Sequence, residues 1–207
     1  MKRRVLVTVS GMVGSGKTTA AQQVMSVFRR HGVEATYWRF QRLPCVSLRF
    51  RGAQEPQRSP SAPRTRPQVY KQQPLTLTRA LGYAARIVAF QVYRRLPGAP
   101  RVAVTNRYFY DNLVHYSQDS TMSRVYGRIL AGMIPKPALS LLLVASPATL
   151  AERRPGYSLD YIRDADAAYR RFGARVPELL IISSEPGEET LQRVETAVQE
   201  QLLVGSA

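Results

Sequence analysis

The sequence predicts an α/β fold in which a five-stranded parallel sheet is covered by helices on both faces. Three observations carry that expectation. Residues 5–10 form a short apolar strand that runs into glycines, a helical pattern and a second strand, the opening unit of a parallel sheet. Apolar runs and stretches of helical periodicity then alternate along the chain, and right-handed crossovers between parallel strands place the helices on the sheet faces. Residues 139–145, apolar apart from Ser140 and preceded by Pro135 and Pro137, read as a central strand buried on both sides.

The elements follow in order. The first strand leads into a helix over Lys17–Arg30, which His31-Gly32 ends before a second strand at 34–40, rich in β-formers. From 41 to 74 periodicity is lost in a stretch rich in Arg, Pro, Ser and Gln, with five prolines between Pro56 and Pro74. A loop of that length is functional or mobile, and an acceptor-side insertion that orders around ligand is expected there. Residues 75–96 form a long helix with Leu77, Leu81, Ala84, Ile87, Val88 and Val92 at helical spacing, and Pro97-Gly98-Ala99-Pro100 breaks it. A third strand, 101–105, enters Asn106-Arg107-Tyr108, and helical material continues to Met133. After the fourth strand, Ser146 is the N-cap and Pro147 the first residue of a helix through Arg154. Residues 157–176 are helical, 178–182 are the last strand, and 188–203 form a closing amphipathic helix. The whole is one domain of 207 residues, with a short lid at 153–160.

Composition narrows the function classes. The single Cys45 excludes an internal disulfide framework and fits a reducing cytoplasm. The basic start has too short an apolar run for a signal peptide. No stretch reaches the ~18 apolar residues of a membrane span, the most apolar helix being interrupted by Arg86, Arg94 and Arg95. A cytoplasmic protein with no membrane partner is expected. The net charge of +16 is lopsided. Residues 1–110 hold 20 basic groups against Glu34 and Glu55, a balance of +18, and residues 111–207 hold 10 against 12 acids, a balance of −2. That asymmetry suits a polyanion-binding face. It suits equally the arginine bias of a GC-rich coding sequence, since only four of the basic residues are lysines. A small anionic substrate explains the basic half without nucleic acid, and no helix-turn-helix, RNP or zinc pattern is present.

Chemistry is carried by Gly11-Met12-Val13-Gly14-Ser15-Gly16-Lys17-Thr18, which satisfies the G-x-x-x-x-G-K-[ST] pattern of a phosphate-binding loop. Its glycines let the backbone fold so that successive N–H groups face a phosphate, and the following helix adds its N-terminal dipole. Lys17 is expected on the β- and γ-phosphates of ATP, Thr18 on Mg²⁺, and the nucleotide-binding set runs from Gly11 to Thr19. The strand before and the helix after supply the context the motif needs. Arg107 stands at the end of the third strand, on the same carboxyl edge of the sheet, where ligands bind in such folds. Its planar fork suits a transferred phosphoryl group or an anionic acceptor; the alternative is a structural salt bridge.

The loop, the strand-end Arg107-Tyr108 followed by Tyr110-Asp111, the Pro135-Lys136-Pro137 lead into an apolar strand, and Ser146-Pro147 opening a helix that ends in Arg153-Arg154 together resemble the thymidylate kinase family. The resemblance covers most of the chain in order, its specific motifs being the loop and the Arg-Tyr segment. It implies a nucleoside-monophosphate-kinase P-loop fold with strand order 2-3-1-4-5 and Mg·ATP-dependent phosphorylation of thymidine monophosphate. It also implies that Arg107, with Tyr108 and Arg39, faces the acceptor. Two departures stand out. Asn106 occupies the place of the family's Asp, leaving Asp111 as the nearest carboxylate, either catalytic or a helix N-terminal cap. The segment after Arg39 lacks the family's acidic-proline and glycine-rich stretch, which points to another acceptor.

Arg153 and Arg154, before Pro155-Gly156, lie where such kinases carry a lid. They are expected to close over the transferring phosphoryl group as internal arginine fingers, the alternative being two surface arginines that complement a helix dipole. Tyr157, Tyr161, Tyr169 and Phe172 read as packing, His31 and His115 as structural, and Asp160, Asp164 and Asp166 as a solvated face. The expected function is an ATP-dependent kinase of a nucleotide or nucleoside. A sugar-phosphate or specialised-metabolite kinase and a non-catalytic nucleotide-binding regulator are the alternatives. The helix at 75–96 offers a homodimer face.

Overall fold

The computed structural model describes residues 4–38, 69–117, 119–185 and 189–203. Its centre is a parallel five-stranded sheet of β1 (Val5–Gly11), β2 (Ala35–Trp38), β4 (Val102–Thr105), β6 (Leu139–Val144) and β7 (Leu179–Ser183), in the spatial order β2-β4-β1-β6-β7. Two further strands of two residues each, β3 (Gln73–Pro74) and β5 (Tyr116–Ser117), pair in parallel as a separate ribbon. The expected order 2-3-1-4-5 is that of the main sheet counted alone; what needs correcting is the strand count and with it the numbering, since the described residues hold seven strands and two of them lie outside that sheet. Two-residue strands carry no alternation to read in sequence.

Register explains why the strands are so apolar. Val7 sits opposite Val104 on one side and Leu139 on the other, so β1 is flanked by strands on both edges. Its side chains then divide between the faces. Val7, Val9, Leu141 and Leu143 meet Ala20, Val24 and Val27 of α1 (Lys17–Arg30) and Val194 and Val198 of α7 (Glu189–Val198). Leu6, Leu142 and Val144 enter a second core with α2 (Leu77–Tyr93), α3 (Phe109–Leu113), α4 (Thr121–Met133), α5 (Pro147–Arg153) and α6 (Leu159–Gly173). Two cores, one on each face, make the three layers. Burying a Leu or Val fully contributes about 1.5–3 kcal/mol, and the sheet spends such residues on both sides.

Local chemistry sets the helix ends. Thr76, Ser120, Ser146 and Ser158 each cap a helix by accepting a hydrogen bond from the backbone N–H three residues on. The cap at Ser158 starts α6 at Leu159 rather than at 157. The helical stretch expected from 106 to 133 is instead α3, β5 and α4, because Ser120 starts a new helix after the β3–β5 ribbon. α7 runs into a π-helical turn over Gln199–Leu203. Of the Arg/Pro-rich stretch at 41–74 only 69–74 is described, and both its bulk and Arg39 lie outside the described residues. Among the described residues no helix is long and apolar enough to cross a membrane.

Candidate active site

The carboxyl ends of β1 and β4 bring the motif residues together. Gly11, Gly14 and Gly16 have φ of 140°, 93° and 82°, values that favour glycine. At Gly11 space is decisive too, since a Cβ would stand 2.4 Å from the Leu143 carbonyl oxygen. Gly16 is the left-handed N-cap of α1. The loop therefore turns on bare backbone and delivers Lys17 and Thr18 at a helix start, as the pattern requires. Met12 and Ser15 are buried, Val13 is half-buried, and Thr19 is exposed on the first turn of α1. The Ser15 hydroxyl is buried with no protein partner among the described residues.

Lys17 folds back over its own loop, its Nζ donating to the carbonyls of Gly11 at 2.8 Å and Met12 at 2.6 Å. Burial pushes its ammonium down to about 8, Asp111 pulls it back up, and Arg107 and Arg154 add to the lowering. Four groups that the sequence singled out separately thus act on one another in space. Among the described residues Arg107 forms no ion pair with a carboxylate, so its salt-bridge alternative finds no support there. Its backbone is tied down by Thr105, whose hydroxyl donates to the Arg107 carbonyl at 2.6 Å.

Asp111 is buried at the first turn of α3, and its carboxylate accepts from four donors. Oδ2 takes Ser10 Oγ at 2.8 Å and Tyr108 N at 2.9 Å; Oδ1 takes Tyr169 Oη at 3.1 Å and Gly11 N at 3.4 Å. The bond from Tyr108 N is the N-terminal cap that the sequence left as one alternative. The other three fasten β1, the loop and α6 to α3. Asn106, half-buried, donates from Nδ2 to the Thr18 hydroxyl at 3.4 Å. An amide thus stands beside the hydroxyl expected to hold a metal ion. No group of three or more His, Cys, Asp or Glu side chains that could hold a metal occurs among the described residues.

Tyr108 departs from its expected acceptor contact. It is buried, packed edge-on against Phe90 and Phe109, with its hydroxyl donating to the Pro135 carbonyl at 2.5 Å. Burial raises its phenol well above the ordinary value. A hydroxyl spent on the backbone is satisfied inside the core, so this side chain packs there rather than facing the acceptor.

The paired arginines separate. Arg153 donates from Nη1 to the Gly14 carbonyl at 3.3 Å and the Ser184 carbonyl at 3.0 Å, fastening the loop to the segment after β7. Arg154 lays its stem along the loop: its Cγ lies 3.0 Å from where a Gly14 Cβ would be. Its charge is felt by Lys17. Ser184, which sequence reading did not single out, is buried and donates to the Ser15 carbonyl at 2.7 Å. Its neighbour Glu185 accepts from Ser146 N and Thr149 Oγ1, both at 2.7 Å. Their place just past the carboxyl end of β7 was the available signal, as was the place of Ser10 within the last residues of β1.

An aromatic group extends from His115, on which the Arg107 charge acts. Tyr157 and Tyr161 stack with centroids 5.1 Å apart, Tyr70 meets Tyr161 edge-on, and Tyr70 Oη lies 3.2 Å from His115 Nδ1. His115 in turn meets the ring of Tyr169. Burial lowers the His115 imidazole, opposed by Asp111 and assisted by Arg107. Tyr70, Tyr157 and Tyr161 are each half-buried, so the wall is part packing and part surface.

No protein-family model matches the chain, and no curated protein does. Among solved structures it is similar to a thymidylate kinase from Candida albicans, with a TM-score of 0.55 and 15% sequence identity. That match covers 98% of this chain and 92% of the other. The likeness shows the fold: a five-stranded parallel sheet with helices on both faces, the architecture of a P-loop kinase.

Proposed function

We propose that the chain is an ATP- and Mg²⁺-dependent kinase that moves the γ-phosphoryl group to a small anionic acceptor, a nucleotide or nucleoside being the class that suits the site. The carrying observation is the convergence of Lys17, Asp111, Arg107 and Arg154 at one sheet edge, over a loop that only glycines can form. That loop fits a triphosphate, because the absence of side chains at Gly14 and Gly16 lets an anion approach the backbone there and a helix N-terminus stands behind it. Thr18 would hold Mg²⁺, which supplies charge neutralisation between the phosphates when bound.

Each side chain has a task in this reading. Lys17 leaves the carbonyls of Gly11 and Met12 to neutralise phosphate oxygens. Arg107, on the acceptor side, orients the incoming anion with its planar fork, with Arg39 as its proposed companion. Arg154, beside Gly14, stabilises the charge that spreads over the equatorial oxygens in transfer, while Arg153 holds the loop in shape. Asp111 maintains alignment between the two halves rather than removing a proton, since its lone pairs are already engaged. The aromatic wall of Tyr70, Tyr157 and Tyr161 favours a planar ring on the acceptor.

The test is an ATP-consumption screen across nucleoside monophosphates, nucleosides and sugar phosphates, with Lys17→Ala as the control. Turnover with one acceptor class, lost in Lys17→Ala, supports the kinase. Failure of the purified protein to bind ATP or GTP ends it. The Asn106 amide on Thr18 favours a second reading, a nucleotide-binding regulator without transfer chemistry. ATP binding with no turnover on any acceptor would select it. A second copy of the chain is the partner we propose for the apolar outer face of α2.

A further inference from the structure

We infer that Tyr169 is a positioning residue: its hydroxyl, through Asp111, holds the acceptor-side helix α3 in register with the start of the phosphate-binding loop. The inference rests on the kinase reading above and concerns how that site keeps its two halves aligned.

The two Asp111 oxygens divide their work. Oδ2 joins the end of β1, through Ser10 Oγ, to the start of α3, through Tyr108 N. Oδ1 joins the first loop glycine, through Gly11 N, to α6, through Tyr169 Oη. Three segments, the end of β1, the start of α3 and α6, therefore meet on one carboxylate, which is buried with 6% of its surface exposed. The donors are two backbone amides and two hydroxyls, with no cation among them. A buried carboxylate held only by neutral donors depends on each of them, because a lost donor leaves a low-dielectric charge under-solvated.

Tyr169 is the one donor of the four that α6 contributes. It lies 58 residues beyond Asp111 in the chain, on the helix that follows the Arg153–Arg154 turn. Its ring meets His115, whose Nδ1 lies 3.2 Å from Tyr70 Oη, so its other neighbours are on the acceptor side. At 3.4 Å the bond from Gly11 N is long, and without Tyr169 it would be the only one left on Oδ1. The carboxylate would then be free to tilt, and Tyr108 N with the adjacent Arg107 would tilt with it. ATP itself is gripped by loop amides and Lys17, which Tyr169 does not touch. Misalignment between Arg107 and the loop acts on transfer, where small displacements are costly.

The experiment is Tyr169→Phe, which keeps the ring and removes the hydroxyl, assayed on whichever acceptor the screen identifies. A kcat lowered by about tenfold, with the ATP Kd from calorimetry within about twofold of wild type, supports the inference. Combining Tyr169→Phe with Asp111→Asn should lower kcat no further than Asp111→Asn alone, since both act through one network. If Asp111→Asn does not fold, Ser10→Ala replaces it, and non-additivity with Tyr169→Phe is again expected. Unchanged kcat in Tyr169→Phe, or losses that multiply fully in the double variant, overturns the positioning role while leaving the kinase reading intact. A wild type that binds ATP but transfers to nothing overturns both, and is told apart by its silence in the screen.

Discussion

Asn106 donates its side-chain amide to the hydroxyl of Thr18 across 3.4 Å, joining the end of β4 to the residue expected to hold Mg²⁺. In the family the sequence resembles, an Asp fills this position. Amide and carboxylate are similar in shape, so an Asp at position 106 would fit the same place and add a charge.

Restoring the charge is the first prediction. Asn106→Asp places a carboxylate where it accepts from Thr18 and faces a bound cation, so the apparent Mg²⁺ affinity in the presence of ATP should tighten by about tenfold. Titrating turnover against Mg²⁺ measures this. An unchanged Mg²⁺ midpoint would mean that residue 106 does not face the metal.

The second prediction concerns pH. The Lys17 ammonium is pushed down to about 8 by burial, against an ordinary value of 10.5. The sign follows from where the proton is held: between those values the unfolded chain binds more protons than the folded one. Lys17 therefore destabilises the nucleotide-free protein below pH 8, and the penalty fades as pH rises towards 10.5. Phosphate binding favours the protonated form, so ATP affinity should weaken by up to about tenfold per pH unit above 8. Lys17→Met should bind ATP poorly at every pH and flatten that dependence. Calorimetry from pH 7 to 9.5 is the measurement.

Adjacent arginines should behave differently. Arg153→Ala removes the ties to Gly14 and Ser184 and should cost about 1 kcal/mol of stability, seen as a lower melting temperature. Its ATP Kd should weaken as the loop loosens. Arg154→Ala, whose stem only lies along Gly14, should leave melting nearly unchanged and lower kcat by ten- to a hundredfold, on the order of 1–3 kcal/mol of barrier. Matching effects from both substitutions would remove the distinction.

The outer face of α2 carries the fourth. Ala80, Tyr83, Ile87 and Phe90 face the core, yet Leu77, Leu81, Val88 and Val92 are each about half or more exposed on the opposite side. A helix that carries a second apolar face is normally covered there as well. Met122, Val125 and Ile129 of the adjoining α4 extend the surface. Together these side chains offer an apolar surface for a partner to cover, a standard interface burying ~800 Å² per partner. Sedimentation should show a dimer at micromolar concentration, and Leu81→Glu should split it. A wild type that stays monomeric at 100-fold higher concentration would refute it.

Local patterns that need only neighbours in the chain were legible. The loop from Gly11 to Thr18, helix α1 with its ends, the Ser146-Pro147 helix start and the buried β6 were all readable, because each is set by spacing and by residues within a few positions. Five strand segments were readable for the same reason. The ribbon of Gln73–Pro74 with Tyr116–Ser117 was not, since a two-residue strand exists only by virtue of its distant partner.

The site divides along the same line. By itself the sequence determined the turn of the Gly11–Thr18 loop, because it requires glycines at fixed spacing between a strand and a helix. Only the tertiary structure decided what surrounds that loop. Tyr108 turned inward because the core offered the Pro135 carbonyl to its hydroxyl. Arg153 and Arg154 parted because a helix end aims consecutive side chains in different directions. Asp111 became a junction because β1, the loop, α3 and α6 converge there, and hydrogen bonds between residues 58 and 101 positions apart leave no trace in local sequence.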